Sequence, residues 1–368
     1  MKSTRFFVIS LLFIFFLLSA CQTASEIKDD GSFSSSTSTL QLPSTLISTP
    51  TSKLPDSLIP DSTLQTTPDA MRFSLPTPGA QPVTAWRPPL YPVPWASSPY
   101  DHFYFTRPIS VDQINWQNLD YRYGGIFFKP SAVHTGIDIP AKLGTIVLAT
   151  GPGEVVWAGW GLYTGDPVNE DDPYGLAVVI LHDFGYQDHP LYTVYAHLKQ
   201  VDVITGQWLQ TGDVLGKVGE TGFTTGPHLH FEVRIGENTY FNTSNPELWL
   251  VQPQGRGVLA ARITDSYDNA IPDLDVSLIS NDSEMEWNIQ TYPQLGTLGD
   301  EYYQENLVMS DLPAGEYTLS FQYLQITQEK IIKILPGEIT YFTFRGLLGF
   351  GTTPPPTDKT NFLYTATP

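Results

Sequence analysis

Cysteine is almost missing from this chain of 368 residues: Cys21 is the only one. A lone thiol makes no internal disulfide, so whatever folds here does so without a covalent staple. Positive charge is also scarce, with 19 Lys and Arg against 38 Asp and Glu and a formal net charge of -19. A field of that sign repels polyphosphate, which excludes nucleic acid and wall polyanions as partners drawn in by charge. Any substrate must be recognised locally. Long apolar runs are confined to the N-terminus, where Phe6 to Leu18 is too short to span a bilayer comfortably. A long helical period is missing between His134 and Val233, which excludes a helical bundle there. What remains, 41% hydrophobic and 13% aromatic, is ample for buried cores in more than one domain.

The N-terminus reads as an export signal. Lys2 and Arg5 precede the apolar run, the charged-then-apolar order of a secretory leader. The run ends in Leu18-Ser19-Ala20-Cys21, which resembles the bacterial lipobox, where cleavage precedes a cysteine that is then lipidated. The expectation is a signal peptide over 1–20 and an exported protein tied to a bacterial membrane through a lipid on Cys21, facing the cell wall. Residues 21–82, rich in Ser, Thr and Pro, bury too little apolar surface to offset their ordering entropy and read as a disordered tether. Order is expected to resume at residue 83. The segment before His134, with Phe103, Tyr104, Phe105, Trp116, Tyr121, Tyr123, Phe127 and Phe128, is too aromatic for a linker and is expected to pack on a core.

From His134 onward, short apolar runs alternate with glycine-rich turns: 146–149, 153–157, 176–181 and 191–196 are all strand-like. An antiparallel all-β domain over 83–250 follows. His228 and His230 sit two apart on a strand entered from a turn, so both imidazoles face one side about 7 Å apart. His134 and Asp138 are separated by Gly136 and followed by Pro140, which places them on a loop running into a strand rather than on a helix. His197 ends another strand-like run. Imidazole and carboxylate are ligands zinc prefers, and a catalytic zinc keeps three protein ligands and one open position. By spacing alone, any three of these five side chains form the ligand set.

The motifs His134-Thr-Gly-Ile-Asp138, Tyr195-Ala-His197-Leu and Gly226-Pro-His228-Leu-His230-Phe-Glu-Val, in that order between His134 and Val233, resemble the M23 family of metallopeptidases, the lysostaphin and LytM type. The resemblance implies an antiparallel β-sheet enzyme that cuts peptide bonds in bacterial peptidoglycan. Carried over by motif, His134, Asp138 and His230 would hold Zn2+, and His228 and His197 would be the catalytic pair beside it. No other cofactor is implied. Peptidoglycan peptides are the implied partners, and no oligomeric state is indicated. The alternative is a catalytically silent scaffold on this fold that binds the wall or activates other wall hydrolases; such scaffolds usually lack metal ligands, and here all five positions are filled.

Two stretches depart from the family pattern. The acidic loop between Gly161 and Tyr174, with Glu170, Asp171 and Asp172, and the segment 186–191 both look like insertions that either shape the groove or its access or are merely solvated loops, and the three acids read as a solvated charge run. His102, His182 and His189 have no motif partner and are assigned no catalytic role. Beyond Trp249 the period-two pattern of 257–265, 271–279, 311–321 and 330–340 predicts a small β-sandwich over 251–348. The stretch 312–317 resembles transthyretin-like or carboxypeptidase-regulatory-like modules. Residues 349–368 read as a disordered tail.

Overall fold

A computed structural model describes residues 90–98, 100–109, 121–125, 133–293 and 296–351. The signal peptide, Cys21, the tether, Trp116, Phe127, Phe128 and residues 352–368 lie outside the described residues. The all-β expectation holds: among the described residues the regular structure is strand, apart from single 3-10 turns such as Pro246–Leu248.

The first sheet has nine strands: β1 (Ile137–Pro140), β2 (Ile146–Leu148), β3 (Gly153–Gly159), β4 (Leu176–Tyr186), β5 (His189–Val201), β6 (Trp208–Leu209), β7 (Val214–Val218), β8 (His228–Ile235) and β9 (Thr243–Ser244). The order β1-β8-β5-β4-β3-β6 is antiparallel throughout, with β7 joining β5 to β2 and β9 added to β8. Ile180, Tyr195, Leu229, Phe231 and Val233 fill its core. Full burial of such side chains contributes roughly 1.5–3 kcal/mol each.

His197 is not at a strand end. It lies inside β5 at φ 59°, a bulge residue that switches the pairing. Residues 191–196 of β5 pair with β8, and residues from Leu198 onward pair with β7. The bulge packs so tightly on β7's end that a Cβ on Gly219 would sit 2.2 Å from the Lys199 amide nitrogen.

Segment 186–191 corrects another expectation. β4 and β5 simply run longer, closing through Gln187 and Asp188 at φ 50° and 64°, the two left-handed residues a tight hairpin needs. This turn pairs Tyr186 with His189, whereas the His197 end pairs Leu176 with Leu198, so the hairpin tip is at the opposite end of the strands and does not shape a groove there.

The second part holds two four-stranded sheets built from β10 (Arg256–Thr264), β11 (Asp275–Ser280), β12 (Glu286–Gln290), β13 (Leu307–Pro313), β14 (Gly315–Tyr323), β15 (Ile326–Ile334), β16 (Ile339–Arg345) and β17 (Phe350–Gly351). Their orders are β13-β10-β16-β17 and β12-β11-β14-β15, around a core that includes Leu278, Trp287, Leu319 and Phe344. The β10–β16 pair is parallel, and β17 adds a short strand inside the stretch read as tail.

The two parts share a core. Val258, Ala260, Tyr292 and Val308 belong to the same apolar cluster as Trp249 and Phe231. The aromatic segment lies along this seam: Phe103 and Phe105 are fully buried, Tyr303 donates to Asp101 at 2.8 Å, Trp95 donates to the Gly337 carbonyl at 2.8 Å, and Arg107 pairs with Asp311.

Glu305 gives the second part a pH signature. It is 3% exposed, and its carboxyl accepts from the Asp300 amide at 2.8 Å and from Tyr292 at 3.1 Å. Burial, reinforced by the charge of Asp300, pushes it up to about 8. The folded chain therefore keeps a proton that the unfolded chain releases near pH 4.5. This contribution to stability, on the order of a few kcal/mol, is full below that pH and is lost as pH rises through about 8. Glu305→Gln is neutral at every pH. Thermal melts should show a smaller loss of Tm between pH 5 and 8.5 than the parent protein; equal pH dependence of the two would refute the assignment.

Candidate metal centre

β1 and β8 lie side by side, with Asp138 opposite His230 and Pro140 opposite His228. His134 precedes β1, and its backbone is held by Gly124 and Gly125, which exchange hydrogen bonds with it at 2.8 Å. The result is a triangle of donor atoms. His134 Nε2 lies 2.9 Å from Asp138 Oδ1 and 3.0 Å from His230 Nδ1, and His230 Nδ1 lies 2.9 Å from the same oxygen. Asp138 and His230 are buried, and His134 is partly buried.

The neighbours of the rings decide which nitrogens face the centre. His134 Nδ1–H donates to the Arg122 carbonyl at 2.9 Å, which leaves Nε2 as the nitrogen that faces the triangle. His230 Nε2–H donates to Glu232 at 3.0 Å, which turns Nδ1 inward. A tetrahedral site with bonds of about 2.0–2.1 Å spaces its donors by about 3.4 Å, so this triangle needs only slight opening to accept zinc. Among the described residues, His134, Asp138 and His230 are the group of His, Cys, Asp and Glu that comes together in this way. Sequence spacing left ten possible trios from five side chains; the fold brings this one together.

Charge supports the same reading. Burial alone would raise the Asp138 carboxyl, but the charges and hydrogen bonds of His134 and His230 hold it well below its ordinary value. Burial likewise disfavours a charged His230, yet the hydrogen bonds it donates to Asp138 and Glu232 outweigh it and lift the ring to about 9. A proton on Nδ1 thus sits where a divalent cation would bind, and binding would displace it.

His228 and His197 stand beside this triangle, their rings 4.8 Å apart by centroid. His228 donates Nδ1–H to the Gly226 carbonyl at 2.8 Å; its Nε2, 3.5 Å from Asp138 Oδ2, is buried and has no hydrogen-bond partner among the described residues. His197 donates Nδ1–H to the Thr221 carbonyl at 2.7 Å. Burial lowers both, His197 to about 3 with help from the neighbouring imidazoles. Both rings are neutral at pH 7 and present an unprotonated Nε2.

Sequence reasoning missed the support beneath the ligands. Glu232 is fully buried and takes hydrogen bonds from His230, Thr135, Tyr174 at 2.7 Å and Arg234 at 2.7 Å. Its pattern was readable: His228, His230, Glu232 and Arg234 alternate along one face of β8. In the acidic loop, Asp172 is not a solvated charge. It is fully buried and binds the amides of Tyr163, Thr164 and Tyr174, while Glu170 and Asp171 stay exposed. His102 packs at a tilt against Trp249, His182 bridges Pro152 and Thr193, and His189 is in the far hairpin, so none reaches the centre.

Residues 132–243 match the model of peptidase family M23. The DD-carboxypeptidase/endopeptidase Mpg of Neisseria meningitidis is 40% identical over 103 residues, covering 28% of this chain and 20% of that protein. Lysostaphin of Staphylococcus simulans is 29% identical over 164 residues, covering 43% of this chain and 30% of that protein. The matched stretch thus spans a fifth to about a third of these relatives. Among solved structures, the catalytic domain of Staphylococcus simulans lysostaphin shares 27% identity over 38% of this chain and 95% of that one, with a TM-score of 0.30. A zinc containing peptidase from Vibrio cholerae shares 28% identity over 38% of each chain, with a TM-score of 0.28. The sequence matches support a hydrolase of the peptidase class for residues 132–243.

Proposed function

We propose that this protein is a zinc-dependent endopeptidase acting on peptide bonds of bacterial peptidoglycan, in cross-links or stem peptides, tethered to a bacterial membrane by a lipid on Cys21. The observation that carries the reading is the donor triangle of His134, Asp138 and His230 with two neutral imidazoles beside it, inside the segment that matches family M23. The lipid anchor rests on the lipobox-like sequence, the substrate class on the family resemblance, and the peptide-bond chemistry also on the name DD-carboxypeptidase/endopeptidase that one relative carries.

Zinc, when bound, supplies Lewis acidity that polarises the scissile carbonyl and brings the pKa of water toward neutrality. The chain's own residues do the rest. His228 Nε2, a buried acceptor with no hydrogen-bond partner among the described residues, takes the proton of the attacking water and returns it to the leaving amine. His197 enters the reaction as an acceptor too, because its one ring proton is committed to Thr221. It orients the attacking water through its unprotonated Nε2. Glu232 keeps His230 in the tautomer whose Nδ1 faces the centre.

The test is direct. Zinc-loaded protein is incubated with purified peptidoglycan and new free amines are followed by mass spectrometry, with and without a chelator. Chelator-sensitive release is expected; its absence would move the reading to a silent scaffold. Replacing His197 should retain zinc and lose turnover about 10²-fold or more. Asn suits this test better than Ala, since residue 197 sits at φ 59° and Asn tolerates that region. Wild-type turnover of His197→Asn would remove its assigned role.

A further inference from the structure

The second β module touches the backbone that orients His134. Arg122, whose carbonyl accepts from His134 Nδ1, extends its guanidinium to Glu247 in the 3-10 turn Pro246–Leu248, with Nη1 at 2.8 Å from both carboxylate oxygens. The same Nη1 donates to the Val308 carbonyl of β13 at 3.4 Å, and the Ser310 amide of β13 donates to Glu247 Oε2 at 2.6 Å. The ion pair is buried on both sides. One residue on, the Tyr123 hydroxyl donates to the Thr243 carbonyl at 3.0 Å and accepts from the Leu298 amide at 3.1 Å. Gly124 presses on Pro293 and Thr297, leaving its absent Cβ only 3.2–3.3 Å of room, and Gly296 faces Val133, the residue before His134.

Both strands of backbone that hold His134 are therefore clamped from the second module. We infer that this module is a working part of the metal centre: its contacts with Arg122, Tyr123 and Glu247 make Arg122 a positioning residue that holds His134 in the Nδ1–H tautomer, with Nε2 turned to the metal. The inference rests on the zinc reading of His134, Asp138 and His230. The physical logic is that of a hydrogen-bonded outer shell, whose loss typically weakens metal binding 10–100-fold. What is particular here is that the outer shell is anchored in β13, whose register strand is β10 and whose core is that of the second module.

The experiment uses the full chain. Removing one partner of a buried ion pair strands the other charge, so the diagnostic variant is the double change R122M/E247Q, with R122K as the conservative comparison. Two quantities are read: the zinc dissociation constant, by competition with a chromophoric chelator, and the tautomer of His134, by long-range proton–nitrogen NMR on zinc-free protein. The expected result is a zinc affinity about 10–100-fold weaker and a mixed His134 tautomer in the double variant, with R122K restoring most of both. A folded double variant with wild-type affinity and a pure Nδ1–H tautomer overturns the inference. Should the double variant fail to fold, Tyr123→Phe removes a single hydroxyl from the same seam; a wild-type affinity and tautomer there overturns it equally. Failure of the functional reading looks different. Wild-type protein that binds zinc but releases no amine from peptidoglycan refutes the substrate and leaves the coupling intact, and wild-type protein that binds no zinc refutes the metal while the His134 tautomer still decides the coupling.

Discussion

His230→Ala is expected to lose zinc and to reduce peptide-bond hydrolysis to the level of chelator-treated protein. The change removes one of three donors and, with it, the hydrogen bonds that hold Asp138 and Glu232 on either side of the ring. Two donors do not retain a catalytic zinc against competing ligands in solution, and the several kcal/mol that a Lewis acid gives the transition state correspond to about 10³-fold or more in rate. His228→Ala is the contrasting variant. It should keep zinc, because the triangle does not include it, and lose about 10²–10⁴-fold in kcat, the range of a general base. Metal content by elemental analysis alongside kcat separates the two. Equal zinc loss in both variants would mean that His228 is a ligand and that its partnerless Nε2 points to the metal rather than to water.

Glu232→Ala should be the most damaging change outside the donor set. The carboxylate is fully buried among Thr135, Tyr174, His230 and Arg234, and Arg234 and His230 hold it down at about 2 although burial alone would raise it. Removing it leaves the Arg234 guanidinium, itself 2% exposed, without its carboxylate. Breaking a buried pair from one side costs about 3–5 kcal/mol, enough to consume much of a domain's stability. The tautomer of His230 is freed as well, which should weaken zinc about 10–100-fold in whatever fraction stays folded. Urea titration of the zinc-free protein reads the first effect, and chelator competition at low temperature reads the second. Glu232→Gln retains an acceptor for His230 and should recover part of the affinity. Full stability of Glu232→Ala would show that Arg234 finds another partner, Tyr174 and Asn238 being the groups already in reach at 2.8 and 2.7 Å.

The strands were legible because their signal is local. Runs such as 176–181 and 191–196 are rich in β-branched, aliphatic or aromatic residues, and strands are found at each, though longer than the runs themselves. The extension at 186–191 was hidden by its polarity: Gln187, Asp188 and His189 read as loop, yet two of them supply the left-handed turn that lets the hairpin continue. His197 was misplaced for a similar reason. A bulge inserts one residue without altering the period on either side, so the chain looks as if the strand stops there. The acidic loop showed charge but not which charge is buried; Asp172 differs from Asp171 only by the amides that fold over it.

The sequence by itself determined the residue types and their local placement: His228 and His230 two apart on one strand face, His134 and Asp138 on a loop entering another, and a short-strand pattern in both halves of the chain. These are consequences of nearest-neighbour geometry, in which period, turn residues and side-chain chemistry act over a few positions. The tertiary structure decided the rest, because it depends on partners far along the chain. Which three donors meet follows from β1 lying beside β8 across some ninety residues. Which nitrogen each ring presents follows from the carbonyls of Arg122, Thr221 and Gly226 and the carboxylate of Glu232. That the second module is joined to His134 follows from the amide of Ser310 meeting Glu247, 63 residues away, a contact that no local pattern encodes.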